Sequence, residues 1–340
     1  MYKYVVRRSI QAVPVLLIIS FVLFLILLAQ PVHAWDQLLY RPNITAAEKA
    51  HIMQYYGFDQ PWYVQYLVQV KNWLPWWSPS TGFHVPDLGT SYFSHQSTWS
   101  LIAQRLPNTV ILMGAAYIMV LVISIPIGVI AAVKQYSKFD TFVTTGAFVG
   151  FSLPNFWLGL MLIIALAVWP YEHLGFKLLP TGGMSSELSA GGFQLIWTSP
   201  VDLAWHLILP ATVFAVQFIA QYSRFIRGAM LDILHQDFVR TARAKGLREA
   251  SVIIKHAFRN ALLPLITLMG LDIPQLFVGA IITEQVFAWP GMGRMFLEAA
   301  YRNDSQVLMG VLVLLAVFVV FGNLIADVVY GWADPRIQYR

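Results

Sequence analysis

The chain has 340 residues, of which 58% are hydrophobic and 11% charged, with a formal net charge of +5 and a mean hydropathy of +0.62. Soluble domains carry about 25% charged residues, so the chain lacks the polar surface of a water-soluble fold. The absence of cysteine excludes disulfides, thiolate chemistry and Cys-based metal sites. Several apolar runs approach or exceed the roughly 20 residues that cross a bilayer, and they lack the alternation of outer-membrane strands. The expected fold class is an all-α polytopic membrane protein.

Met1 to Ser9 carries Lys3, Arg7 and Arg8 and precedes an almost uninterrupted apolar run from Ile10 to Ala29. A cleaved signal peptide is one reading, since Val32-His33-Ala34 resembles a small-residue cleavage site. Signal cores are only about 7–15 residues long, and the longer run here reads as a retained first span. Residues 31–100 form a polar insert containing Trp35, Trp62, Trp73, Trp76, Trp77 and Trp99. Ala46–Tyr56 and Trp62–Trp73 read as short amphipathic helices within it. The tryptophans suit either anchoring at headgroup level or a partner-binding surface.

Further spans are expected over Thr109–Val133, Thr141–Trp169 (with Ser152-Leu153-Pro154-Asn155), Leu203–Tyr222, Ala261–Phe287 and Val307–Tyr330. Six transmembrane helices with both termini cytoplasmic place every basic short segment on one side: Lys134 and Lys138, the stretch 224–259, and Arg336/Arg340. Positive charge placed by topology leaves nothing that requires nucleic acid as a partner. The chain divides into an amino terminus with the first span (1–30), an extracytoplasmic insert (31–100) and a core of five spans (101–340).

Catalytic signatures are missing. GxxxxGK[ST], HExxH and GxSxG do not occur, so no phosphate-cradling loop, zinc-protease helix or nucleophile elbow is encoded. No catalytic or metal-ligating residue is assigned. Energy would have to come from another chain.

The most distinctive stretch is Arg224 to Arg259, with eight basic residues against Asp232, Asp237 and Glu249. Leu231–Lys245 reads as a short helix ended by Gly246, and Arg248–Phe258 as a second. Glycine adopts the left-handed conformation that turns a chain out of a helix. Phe238, Ala242 and Gly246 share a face at i, i+4 spacing, small enough for another protein to approach closely. Arg240, Arg243 and Arg248 flank it and suit carboxylates on a partner. A solvated basic loop is the alternative.

This stretch resembles the EAA loop of binding-protein-dependent ABC importer permeases, a Glu-Ala-Ala, three further residues and then Gly. Arg240, Thr241 and Ala242 occupy the first three positions and Gly246 the glycine, with Arg243 and Ala244 between them. The replaced acid, and Leu263-Pro264 lying further along than in sugar-type permeases, are features of the dipeptide/oligopeptide/nickel branch. Similarity extends through Asp87-Leu88-Gly89-Thr90-Ser91, Arg105-Leu106-Pro107, Phe151 to Gly159, Leu179-Pro180, His206 to Pro210, Trp289-Pro290-Gly291-Met292-Gly293 and Asp334-Pro335-Arg336. A Pro-Gly-Asp-Pro typical after the first span is replaced by Pro31-Val32-His33-Ala34.

The resemblance implies a type I ABC importer permease in a bacterial or archaeal plasma (inner) membrane. It would pair with a homologous second permease, two cytoplasmic ATPase subunits that bind ATP and Mg, and an extracytoplasmic solute-binding protein. No cofactor is expected in this chain, whose solvent is the lipid bilayer. Peptide is the favoured solute, with nickel and oligosaccharide open; a stand-alone secondary transporter or channel is the alternative from another class. For the translocation path, Asp272 stands mid-span beside Pro274 and Gln275, and a carboxylate there costs roughly 2.5–3.5 kcal/mol on insertion scales unless it faces water or a partner. Burial against another helix is the alternative. Asn155, Gln217 and Gln221 add polar surface, while Glu284 and Asp327 lie nearer span ends.

Overall fold

The computed structural model describes residues 2–29, 44–56, 59–74, 76–78, 82–84, 86–186, 199–272 and 280–333. In chain order the helices are α1 (Tyr2–Leu28), α2 (Ala46–Tyr56), α3 (Trp62–Trp73), α4 (Thr98–Val133) and α5 (Lys138–Ser152). Then α6 (Asn155–Ile163) continues through a π-helical turn, Ile164–Val168, into α7 (Trp169–Leu174). The 35-residue α8 (Pro200–Leu234) is followed by α9 (Asp237–Ala244) and α10 (Glu249–Ser251). A second π-helical stretch, Val252–Phe258, leads into α11 (Arg259–Asp272), and α12 (Ile281–Val286), α13 (Met292–Tyr301) and α14 (Ser305–Ala333) complete the chain. One antiparallel hairpin, β1 (Trp76–Ser78) with β2 (Gly82–His84), sits in the insert. An all-α reading does not foresee it.

Among the described residues five helices are long and apolar enough to cross a membrane: Ile10–Leu28, Thr98–Val133, Asn155–Leu174, Pro200–Leu234 and Ser305–Ala326. Glu249–Leu262 and Pro264–Gly270, bent by 44°, make a sixth when taken as one span. Pro264 has no N–H for the ladder and its ring crowds the preceding turn, the usual cause of such a bend.

Three expected boundaries are corrected. The third span begins at Asn155, not Thr141, because Leu153 and Pro154 are extended and divide α5 from α6. Proline disfavours helical geometry at the residue before it. The fourth span does not stop at Tyr222: Ile226 and Met230 extend its buried stripe by two turns, so α8 absorbs the first part of the basic stretch. The docking helix therefore starts at Asp237, not Leu231. The fifth span is not one continuous helix either, since α11 ends at Asp272 and helix resumes only at Ile281.

The central pair is α4 against α8. The backbones come close: a Cβ on Gly128 of α4 would lie 2.8 Å from the Ser223 carbonyl oxygen and the Ile226 Cβ of α8, as small residues allow where apolar lipid offers no hydrophobic drive between helices. Arg227 of α8 donates two hydrogen bonds to Asp140 at the start of α5, at 2.6 and 2.7 Å, and Ser137 caps that helix by accepting from the Asp140 amide. At the opposite end the insert is fastened to α14. Ser91 donates to Asp304, and Gln306 donates to the Tyr92 hydroxyl.

Candidate functional site

At the basic end α9 carries its side chains in two sets. Val239 and Ala242 are buried, at 0% and 5% exposure, against Met230 of α8 and Val252 and Ala257 of the following π-helical stretch. This corrects the expectation that Ala242 shares an open face with Phe238: its methyl is the seat of the helix. Phe238, Leu247 and Ile254 are exposed instead, among Arg240, Arg243, Ala244 and Arg248. Apolar groups thus stand in a basic surface at the end of the bundle.

Gly246 ends α9 as its sequence position predicts. Its φ is +72°, its amide donates to the Arg243 carbonyl, and a Cβ placed there would meet nothing within 4 Å. Thr241 back-bonds to the Asp237 carbonyl. Arg243 does not wait for a partner's carboxylate: it donates to Glu249 across the turn, the shortest contact being 2.7 Å. These hydrogen bonds hold the Glu249 carboxyl below its usual range and raise the Arg243 guanidinium. Arg240 lies 3.7 Å from Asp237, both exposed.

The candidate path residues fall into two places along α8. Asp272, half-buried at the end of α11, accepts a hydrogen bond from Tyr222 at 2.5 Å. The Tyr222 hydroxyl is in turn 2.9 Å from that of Tyr117 on α4. One carboxylate thus ties three helices together at the end of α11. Gln217, one turn from Gln221, donates its amide to the Leu153 carbonyl at 3.1 Å, which the break before Pro154 leaves without a helical partner. Asn155 follows that break, half-buried, with its side-chain oxygen unpaired among the described residues. Gln221 is exposed. Gln275 and the segment around it lie outside the described residues.

A third polar centre outranks these in burial. Glu284, ranked on sequence below Asp272, is 0% exposed. Its carboxylate accepts from the Thr109 hydroxyl at 2.8 Å and from the amides of Gly293 and Arg294. Thr109 Oγ1 also accepts from the Met292 amide at 2.7 Å. Asn108 and Trp289 lock the same turn from the side: the Trp289 indole donates to the Asn108 carbonyl, and the Asn108 amide to the Pro290 carbonyl. The Trp289-Pro290-Gly291-Met292-Gly293 motif is the chain wrapped around a buried carboxylate. A Cβ on Gly291 would lie 2.4 Å from the Glu284 carboxyl atoms, and one on Gly293 2.7 Å from the Ile281 Cα. A glutamate seven residues before Gly291 was the signal in the sequence, but its meaning needs the fold.

No group of three or more His, Cys, Asp or Glu residues able to hold a metal occurs among the described residues. The geometry among the described residues is that of a helical bundle with an exposed basic surface around α9 and polar contacts buried between its helices. Its likenesses agree with that description. The chain is 42% identical over 340 residues to the oligopeptide transport system permease protein AppB of Bacillus subtilis, covering 100% of both chains. It is 34% identical over 354 residues to the dipeptide transport system permease protein DppB of Escherichia coli K12, again covering 100% of both. In fold it resembles a chain of the MetNI methionine ABC transporter in an inward-facing conformation, with a TM-score of 0.53 at 17% identity over 69% of this chain and 97% of that one. Residues 1–113 match the N-terminal region described as binding-protein-dependent transport system membrane component. With residues 124–339 matching the main profile, the chain belongs to the binding-protein-dependent transport system inner membrane component family.

Proposed function

We propose that this chain is the permease subunit of a peptide importer, forming half of the translocation path and coupling it to separate ATPases. The observation that carries the peptide assignment is full-length identity to permeases named for oligopeptide and dipeptide transport. A stand-alone transporter or channel leaves both that match and the exposed α9 surface without a purpose. In this reading a homologous permease lies beside the chain, and two ATPase subunits, which bind ATP and Mg, dock on the surface around Phe238, Leu247 and Gly246. A solute-binding protein delivers peptide to the opposite end. Closure of the ATPase dimer moves α9, and the helices packed on it carry that movement into the path as one two-state element.

Reconstitution with the cognate subunits tests the assignment. ATP hydrolysis should rise when the binding protein carries a di- or oligopeptide. Stimulation by a nickel chelate or an oligosaccharide alone, with none by peptide, would overturn it.

Two further outcomes are expected. The basic end is cytoplasmic, so a cysteine replacing Arg243 should react with an impermeant thiol reagent only after the membrane is opened; labelling from outside intact cells would reverse the topology. The native chain has no cysteine to confuse the reading. Asp272→Asn keeps an oxygen that accepts from Tyr222 and removes only charge. The purified complex should assemble in wild-type amounts while peptide uptake by proteoliposomes falls. Reduced assembly with unchanged uptake per complex would assign Asp272 to helix packing alone.

A further inference from the structure

The ion pair between α8 and α5 is defined more sharply than holding two helices together requires. Asp140, in the first turn of α5, is 4% exposed. The Arg227 guanidinium takes both of its oxygens, Nε to Oδ1 at 2.6 Å and Nη2 to Oδ2 at 2.7 Å. Oδ2 also accepts from the Tyr136 amide at 2.9 Å, in the turn out of α4, where Tyr136 has a φ of +63°. A bulky residue in the left-handed region is strained and persists where its surroundings hold it. Asp140 therefore joins the end of α4, the start of α5 and α8, one turn before Met230, on which α9 is seated. Burial of an ion pair is weak evidence for stability, because apolar residues of like volume often serve as well. What a two-point guanidinium–carboxylate contact adds is one fixed geometry.

Neighbouring contacts between α5 and α8 set the register less sharply. Arg224 lies over the Phe148 ring, 4.6 Å from its centroid. A Cβ on Gly150 would stand 3.2 Å from Val216 Cγ1 and 3.9 Å from Ala220 Cβ. Contacts of this kind can re-form when one helix slides along the other. Beyond them the chain reaches the break at Leu153 and Pro154, about 20 Å along from Asp140 at 1.5 Å per residue. There the Gln217 amide of α8 donates to the Leu153 carbonyl at 3.1 Å, and Asn155 begins α6. A slide of α5 by one turn, about 5.4 Å, takes that carbonyl out of reach. The polar break and the ion pair thus lie at the two ends of one helix, and both are made to the same face of α8 partner residues, Gln217 and Arg227.

We propose that Arg227 and Asp140 are positioning residues of the transport cycle. Their two-point contact fixes the register of α5 on α8, so that movement of α9 carries α5, and with it the polar break at Leu153, Asn155 and Gln217, as one body. The proposal rests on the importer reading given above, in which α9 receives the ATPases.

Arg227→Met combined with Asp140→Asn, in the reconstituted importer, tests it. The double substitution removes both charges together, so neither is left buried without its partner, and the asparagine still offers an oxygen to the Tyr136 amide. The complex should be recovered in wild-type amount and should still hydrolyse ATP in response to loaded binding protein, because the seat of α9 is unaltered. Peptide taken up per ATP hydrolysed should fall about fivefold or more. Arg227→Lys keeps a one-point ion pair, and its ratio should lie between those of the double variant and the unsubstituted complex. An unchanged ratio in the double variant would overturn the assignment. Loss of the complex would also overturn it, leaving the pair a structural tie alone. So would a ratio for Arg227→Lys no better than that of the double variant. Should the unsubstituted complex itself take up no peptide as it hydrolyses ATP, the importer reading fails instead, and that control tells the two failures apart.

Discussion

Glu284→Ala is expected to abolish most of the assembled protein, through the turn it holds rather than through any contact with solute. The carboxylate accepts from Thr109, Gly293 and Arg294 at 0% exposure. Its removal strands three buried donors, each costing about 1–3 kcal/mol when unmet. A total of about 4 kcal/mol or more is a large share of the roughly 5–15 kcal/mol that holds a typical domain together. Thr109→Val removes one of these bonds and the acceptor for the Met292 amide, and should cost roughly half as much. Gly291→Ala gives the sharper measurement. In the wild-type background its Cβ meets a carboxylate that cannot swing away, because three donors fix it. In the Glu284→Ala background the same methyl has room. The two substitutions should therefore be strongly non-additive, as contacting residues are, when the thermal aggregation midpoint of the purified complex is followed. Additive shifts would show that the turn does not close on Glu284.

What the sequence made legible was what local chemistry decides. Ala46–Tyr56 and Trp62–Trp73 appear as helices at the expected bounds, although Ala46–Tyr56 hardly segregates its polar from its apolar residues, against the amphipathic reading. Gly246 ends α9 because only a residue without Cβ sits comfortably at φ +72°. The errors share one cause: composition reports charge, whereas helices end where packing ends. Arg224 and Arg227 resemble the start of a soluble loop, yet Ile226 and Met230 keep α8 helical through them. Ala242 looked like an open small residue until Val239, one turn before it, fixed which face is inward. Arg243 looked available, and its acceptor Glu249 is six residues away across a turn whose path no periodicity reveals. Glu284 stands nearer a span end than Asp272, and its place as the buried acceptor of a turn is set by Thr109, in a helix 175 residues earlier, which no local pattern reveals.

Gly246→Leu is expected to uncouple ATP hydrolysis from the loaded binding protein while leaving the membrane bundle intact. A residue with a Cβ held in the left-handed region pays about 1–2 kcal/mol, and alanine pays it as fully as leucine. Within this chain neither side chain collides with anything, since the space around the Gly246 Cβ position is empty to 4 Å. Any difference between Gly246→Ala and Gly246→Leu therefore reports on what occupies that space in the complex. If the ATPase surface approaches there, alanine should lower stimulated hydrolysis a few fold through backbone strain alone. Leucine should lower it more than tenfold, or release the ATPases altogether. The packing that seats α9, Val239 and Ala242 on Met230, Val252 and Ala257, comes nowhere within 4 Å of the Gly246 Cβ position and is untouched. Insertion, pairing with the second permease and the melting midpoint of the membrane subunits should match Gly246→Ala. The measurement is binding-protein-stimulated ATP hydrolysis by the reconstituted complex, compared across the two variants. Equal stimulation in both would leave backbone strain as the whole effect and would move the ATPase contact away from this turn, toward the exposed Ile254.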